Sequence, residues 1–351
     1  MSLESVWFVL VAVLWGGYFL LEGFDFGVGM LLPVLPRDER ERGLMFESIG
    51  PVWDGNEVWL VVAGGATFAA FPAWYATMFS GFYLALLLIL VLLIVRVVSF
   101  EWREKRDSAR WRATWTWANT IASVGAPLLW GIALANLLHG VPVDSKQVFT
   151  GDLLDLFSPY TVLAGVAIVV LFALHGATYL TLRTGGELGE RAATAARRLS
   201  LPAAVAGVAF LAATVAVAID TNDRDLFPVV LPAALGAVAL LAAIACALAG
   251  RSGWAFVATA LATLLWVATL FTGLYPRVMV SSTDFANSLS ISNAASGHYA
   301  LQVITVVAAI FTPLVLLYQG WTYHVFRRRL GGESPPGRPS ADQPAPGLPT
   351  G

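Results

Sequence analysis

The stretch Glu22-Gly23-Phe24-Asp25-Phe26-Gly27-Val28-Gly29 decides how this chain is read, together with Trp53-Asp54-Gly55-Asn56-Glu57-Val58-Trp59-Leu60. Each places two carboxylates three residues apart, inside or at the edge of an apolar run long enough to cross a bilayer. An acid at such a depth costs roughly 2.5–3.5 kcal/mol on insertion scales, so it needs a partner, a water path or a function.

Outward from these acids, the composition sets the class. A chain of 351 residues could form two soluble domains, but 58% of this one is hydrophobic and only 13% charged. Soluble domains carry about 25% charged residues, and long apolar runs mark membrane spans. The first run begins almost at Met1 without a basic stretch before it and contains acids. It reads as a membrane helix rather than a removable leader. The single cysteine, Cys246, lies in an apolar run, so there is no disulfide framework and no CxxC site. The net charge of −2 and the lack of a basic stripe outside the loops argue against nucleic acid as a partner.

A helical span needs about 20 apolar residues. The sequence offers nine such runs, at 5–31, 52–72, 75–99, 113–139, 159–182, 199–219, 227–249, 254–275 and 298–325. Helix is expected throughout, because lipid leaves no other partner for the backbone and no ten-residue alternation suggests a barrel. The expected fold class is an all-α membrane protein with nine transmembrane helices. Residues 1–330 form one polytopic domain. The Pro/Gly/Ser-rich segment 331–351 reads as a disordered cytoplasmic tail.

Basic residues orient the spans. Of the 21 lysines and arginines, Lys146, Arg224 and Arg277 fall on one side and Arg96 lies inside the third run; the rest fall in loops on the other side. The alternation holds at every loop, so the positive-inside rule puts the N-terminus outside and the C-terminus in the cytoplasm. Two outer loops, 141–158 and 276–297, are long enough to cap a bundle or meet a partner.

Glu22 and Asp25 lie one turn apart near the cytoplasmic end of the first span, and Asp54 and Glu57 likewise at the start of the second. The inner loop between these spans makes an antiparallel hairpin, so the two pairs can face each other. Clustered carboxylates in a dry site share protons, which suits a proton path from the cytoplasm through Asp25 and Asp54, with Glu22 and Glu57 in support. The blander alternative has Asp54 and Glu57 favouring a helix N-terminus, while Glu22 and Asp25 reach the interface or pair with Arg96. Arg96 needs a counter-charge, for which Asp54, Glu57 and Glu101 are candidates.

The remaining polar signals are weaker. Gly23, Gly27 and Gly29, like Gly16-Gly17 and Gly64-Gly65, suit close helix packing. No strand precedes Gly27-Val28-Gly29, so it is not a dinucleotide loop. Of His139, His175, His298 and His324, only His175 is mid-membrane. It has no partner at its level for a bis-histidine haem, and it reads as a packing residue. No His/Cys/carboxylate cluster suggests zinc or copper. Most of the 13 tryptophans fit an interfacial aromatic belt.

At this point the chain closely resembles subunit II of the cytochrome bd-type quinol oxidases. The matching stretches are Gly23–Met30 (GFDFGVGM), Pro51–Ala63 (PVWDGNEVWLVVA), Gly64–Phe71 (GGATFAAF) and Phe79–Tyr83 (FSGFY). Asn136–Pro142 (NLLHGVP), Gly176–Leu188 (GATYLTLRTGGEL), Tyr275–Ser282 and Ser288-Leu289 follow in order. The resemblance implies two four-helix bundles plus one additional helix. It implies a bacterial terminal oxidase of the cytoplasmic membrane that oxidises quinol and reduces O2 to water. Two b-type haems and one d-type haem would sit in the partner, the haem-bearing subunit I, and none in this chain. Small single-span subunits, membrane lipids and quinone are further implied partners. Residue by residue, Asp25 and Asp54 match acids of a proton route in this family, and Trp59 a residue beside a hydrophobic channel. Asn56 and Arg96 are supporting candidates.

The expected role is therefore that of a subunit which steadies the haem-bearing chain and supplies a cytoplasmic proton path. Two other readings stand beside it: a stand-alone proton-coupled transporter and a purely structural scaffold. Against the transporter, the fifth to eighth runs lack the paired Gly/Pro breaks of secondary transporters.

Overall fold

The computed structural model describes residues 2–222 and 225–331. Eleven α-helices follow one another: α1 (Leu3–Leu31), α2 (Glu39–Ile49), α3 (Trp53–Ala70), α4 (Pro72–Gly81), α5 (Tyr83–Trp102), α6 (Ala109–His139), α7 (Pro159–Arg183), α8 (Gly186–Asn222), α9 (Leu226–Leu248), α10 (Ser252–Leu274) and α11 (His298–Val325). Among the described residues, eight are long and apolar enough to cross a membrane. The second apolar run is the exception. It folds as α3, whose 18 residues reach about 27 Å at 1.5 Å per residue, and its first turns carry Asp54, Asn56 and Glu57.

Local chemistry places most boundaries. Ser2, Asp38, Ser108 and Ser158 each cap a helix by accepting a backbone N–H, at α1, α2, α6 and α7. At Ser158 the hydroxyl of Thr161 completes a capping box, and Pro159 takes the first helical position. The structure corrects three boundaries. The third run, expected to be continuous over 75–99, is broken at Phe82, and Pro72 restarts the chain as α4 directly after α3. The loop before the sixth run is helical, so α8 spans 37 residues, about 55 Å, and outruns a bilayer core of about 30 Å. The loop between α1 and α3 holds α2, a short charged helix whose residues have no apolar run to betray them.

α1 packs against α3, α6, α7 and α10, and α5 packs on α6. α7 to α10 pack on one another, while α11 lies apart, touching α3 and α1. The contact between α1 and α7 is backbone to backbone. A Cβ on Gly27 would stand 2.0 Å from the Phe172 carbonyl oxygen, and one on Gly176 would stand 2.4 Å from the Gly27 carbonyl carbon. Gly27 behaves as the sequence suggests. Gly64 and Gly65 do not: nothing of this chain lies within 4 Å of where their Cβ atoms would be. They line an open groove of about 540 Å³ with Trp15, Trp130, Phe68 and Tyr75.

The two ends of the bundle differ. At the arginine-rich end, Glu39 on α2 pairs with Arg42 and Arg103, and Arg191 on α8 pairs with Glu41. Arg191 also donates to the Leu35 carbonyl at 2.9 Å. Burial pushes the Glu41 carboxyl up, but the Arg37 backbone N–H and the Arg191 guanidinium outweigh it and hold Glu41 below its ordinary value. After α11 the chain turns back onto the α7–α8 junction, where Leu330 N donates to Arg183 O at 2.7 Å and Gly185 N to Leu330 O at 2.9 Å. At the opposite end, β1 (Arg277–Met279) pairs antiparallel with β2 (Leu289–Ser290). The Val143 carbonyl there accepts from Ser281, Thr283 and Asn287, so the two long loops form one cap. Of the expected tail, residues 332–351 lie outside the described residues, as does Arg224.

Candidate functional site

α1 meets α7 through its glycines, and its acids meet side chains carried by α3 and α5. Glu22 and Asp25 are both fully buried. Glu22 forms an ion pair with Arg96 of α5, also fully buried. The guanidinium lies 4.6 Å from the Phe26 ring centroid and 5.5 Å from that of Phe100. Asn119 Nδ2 donates to the Arg96 carbonyl at 3.3 Å and to Ser99 Oγ at 2.7 Å, which ties α5 to α6 at this level. Of the counter-charges weighed from sequence, Asp54 and Glu101 make no ion pair with Arg96 and both are exposed. Glu22 takes that role, as the blander alternative allowed.

Asp25 is bonded differently. Asn56, in the first turns of α3, donates through Nδ2 to Asp25 Oδ2 at 2.7 Å and to the Leu21 carbonyl at 3.4 Å. The Asn56 amide oxygen accepts from Tyr323 OH at 2.7 Å and from Gln319 Nε2 at 3.0 Å, both on α11. Asn56 is itself fully buried, and it joins three helices. Glu57 is half-buried, within electrostatic range of Arg96 alongside Glu22 and Asp25. Asp54 is exposed on the outer face of α3. The hairpin therefore brings α3 to the α1 acids through Asn56, while Asp54 is exposed, and among the described residues no carboxylate of α3 is bonded to Glu22 or Asp25.

The site is not saturated. Glu22 Oε2, Asp25 Oδ1, and Arg96 Nε and Nη2 are buried without a hydrogen-bond partner among the described residues. Buried polar atoms are nearly always paired, and those left over concentrate where chemistry or a further partner completes them. Trp59, half-buried, lays its ring where a Cβ on Gly17 would come within 2.4 Å of it. It packs α3 onto α1 one turn beyond the acids.

Gln319 and Tyr323 were not among the candidates from sequence. The available signal was a pair of polar groups one turn apart in the largely apolar run 301–323, which also holds Gln302, Thr305, Thr312 and Thr322, and nothing in that run tells which neighbour they meet. His175 is buried with both ring nitrogens engaged: Nδ1 lies 2.7 Å from Thr259 Oγ1, and Nε2 lies 3.3 Å from the Leu20 carbonyl, to which it donates. Its ring stacks on Phe256 at 4.7 Å. This surrounding does not fit an axial haem ligand, which needs a free nitrogen and room for the macrocycle. Among the described residues, no three His, Cys, Asp or Glu side chains are grouped to hold a metal ion.

The model of the family described as cytochrome bd terminal oxidase subunit II matches residues 3–326. Cytochrome bd ubiquinol oxidase subunit 2 of Bacillus subtilis (strain 168) is 39% identical over 339 residues, covering 95% of this chain and 98% of its own. Cytochrome bd-I ubiquinol oxidase subunit 2 of Escherichia coli (strain K12) is 38% identical, covering 92% and 93%. Among solved structures, a chain of the bd oxidase from Geobacillus thermodenitrificans shares the fold with a TM-score of 0.73, at 18% identity over 93% of this chain and 97% of that one.

Proposed function

Because the chain belongs to the cytochrome bd terminal oxidase subunit II family, we propose that it serves a quinol-oxidising, O2-reducing complex as the subunit that delivers protons and steadies the haem-bearing partner. It is a multi-pass protein of the cytoplasmic membrane. The haems in the partner subunit would supply the electron transfer and the reduction of O2. This chain's own residues hold and move the protons which that reduction consumes.

The observation that carries the reading is the buried Asp25–Asn56 hydrogen bond beside the buried Glu22–Arg96 pair. Arg96 offsets the charge of one acid, so the site holds a second carboxylate at a depth where two unpaired ones would repel. Asp25 keeps one oxygen free of protein donors, and that oxygen takes and releases the proton. Exposed Asp54 and half-buried Glu57 on α3 form the way in from the cytoplasm, one turn apart on the helix that bears Asn56. Trp59 closes the path against lipid on that helix.

In this reading α3 is the ninth span. Its acids lower its apolar character and its length of about 27 Å suits a membrane crossing. The basic residues then place the N-terminus outside and the C-terminus in the cytoplasm.

The test is quinol-driven O2 consumption by the purified complex carrying Asp25→Asn or Asp54→Asn. Slower turnover with the b- and d-type haem bands retained is expected. Turnover equal to that of the unmodified complex in both variants would leave only the scaffold reading.

A further inference from the structure

The helix α11 exposes almost all of its length as apolar surface, yet polar contacts hold it to the bundle at three levels. Near its start, Ser296 donates to the carbonyls of Ala69 and Ala70, through Oγ at 2.6 Å and through its backbone N–H at 2.8 Å. Two turns in, Trp7 Nε1 donates to Thr305 Oγ1 at 2.9 Å. Beyond its end, Leu330 pairs with Arg183 and Gly185, Arg183 donates to the Arg328 carbonyl at 2.7 Å, and Arg329 donates to the Thr181 carbonyl at 2.8 Å. A helix that only faced lipid would need none of these bonds.

Between the two anchored ends, α11 makes one further set of polar contacts with α3, and they converge on a single atom, the amide oxygen of Asn56. An amide has an accepting end and a donating end. With Tyr323 OH and Gln319 Nε2 occupying the oxygen, the NH2 group is turned to the two groups that can only accept here, the Leu21 carbonyl and the Asp25 carboxylate. Hydrogen bonds in which one partner is charged are stronger than neutral ones. The orientation of one buried amide thus bears on which form of Asp25 the site accommodates.

We infer that Gln319 and Tyr323 are positioning residues of the proton path, and that α11 is anchored at both ends so that they lock the Asn56 amide with its NH2 group toward Asp25. The inference rests on the proton-path reading of Asp25. Without the two donors, the amide is free to rotate and offer its oxygen to Asp25, and only the protonated acid can answer an acceptor. The charged and titratable groups around Asp25 are Glu22 on its own helix, Glu57 on α3, Arg96 on α5, Tyr179 on α7 and Tyr323 itself. Tyr323→Phe and Gln319→Leu leave the other four in place.

The experiment measures quinol-driven O2 consumption against pH for the assembled complex carrying Tyr323→Phe, Gln319→Leu or both, with Gln302→Leu as a control at the far end of α11, where the exposed side chain bonds His298 of the same helix. The double variant is expected to keep its haem bands, to lose about tenfold in turnover at neutral pH and to shift its pH profile by about one unit to higher pH. Each single variant should shift less, and Gln302→Leu should not shift. A profile that stays in place, whether turnover is unchanged or uniformly lower at every pH, overturns the inference. Should the double variant fail to assemble, Tyr323→Phe, which lacks one oxygen only, is read by the same criterion. If Asp25→Asn leaves turnover untouched, the proton-path reading falls and this inference with it. If Asp25→Asn slows turnover but the α11 variants keep the profile, this inference alone is wrong.

Discussion

Arg96 and Glu22 stand 74 residues apart in the chain and form an ion pair from which solvent is excluded on both sides. Taking both charges out of water costs several kcal/mol per ion, so such a pair rarely stabilises more than apolar residues of the same shape would. Removing one partner is another matter. Arg96→Met leaves Glu22 buried without its cation and should destabilise the chain by about 3–5 kcal/mol. Combining it with Glu22→Gln should recover most of that loss. Thermal unfolding of the purified complex for both single variants and the double checks this; a double variant as unstable as Arg96→Met would show that the arginine acts through its packing on Phe26 and Phe100 instead.

Packing of α1 on α7 allows a sharper contrast. In Gly27→Ala the new Cβ meets the Phe172 carbonyl at 2.0 Å and the Gly176 backbone at 2.7 Å, and neither is a side chain that can swing away. Overpacking of this kind costs about 1–3 kcal/mol, occasionally more. The yield of assembled complex, read from its haem absorbance, should fall severalfold. Gly43→Ala, on α2 with nothing within 4 Å, should be neutral or stabilising by about 0.5–1 kcal/mol. Equal behaviour of the two variants would argue against the backbone contact.

His175 is expected to matter for the bundle and not for haem. Its bonds to Thr259 and Leu20 join α7 to α10 and α1. His175→Leu should lower thermal stability by about 1–3 kcal/mol, because it strands the hydroxyl and the carbonyl it served. The visible spectrum of the complex should be unchanged in band positions and haem content per assembled complex. Loss of a b-type band in properly assembled material would contradict the packing role.

A modest pH effect should come from the arginine-rich end. The folded state holds the Glu41 carboxyl below its ordinary value. Its contribution is therefore complete above the ordinary carboxylate range, near pH 4.3, and is lost as pH falls through the lower folded value. Arg191→Gln removes one source of that shift. Stability at neutral pH should fall by less than about 1 kcal/mol, as for other partly exposed pairs. The gap from the unmodified chain should close in acid, which thermal unfolding between neutral and acid pH would record.

Features that rest on local periodicity are legible in the residues alone. Apolar runs of sufficient length became helices, and acids three apart became neighbours on one face of α1. Glycines beside them became the contact with α7. Others could not be read in this way. Nothing about Asp54 and Asp25 as residues says that one is exposed and the other fully buried. The break at Phe82 lies inside an apolar run with no strong helix breaker at that residue, and α2 has too little apolar surface to stand out.

The sequence by itself determined that this is a helical membrane protein of a recognisable family, and that its acids lie in pairs near one end of two apolar runs. Length and apolarity are enough for that, because lipid leaves the backbone no alternative to helix. Only the tertiary structure decided that Arg96 meets Glu22, that Asn56 meets Asp25, and that α11 supplies the two donors behind Asn56. Those pairings depend on how far each helix is rotated and slid against its neighbours. A run that is apolar on every side carries almost no record of either, so the choice falls to glycine contacts and buried polar bonds between segments far apart in the chain.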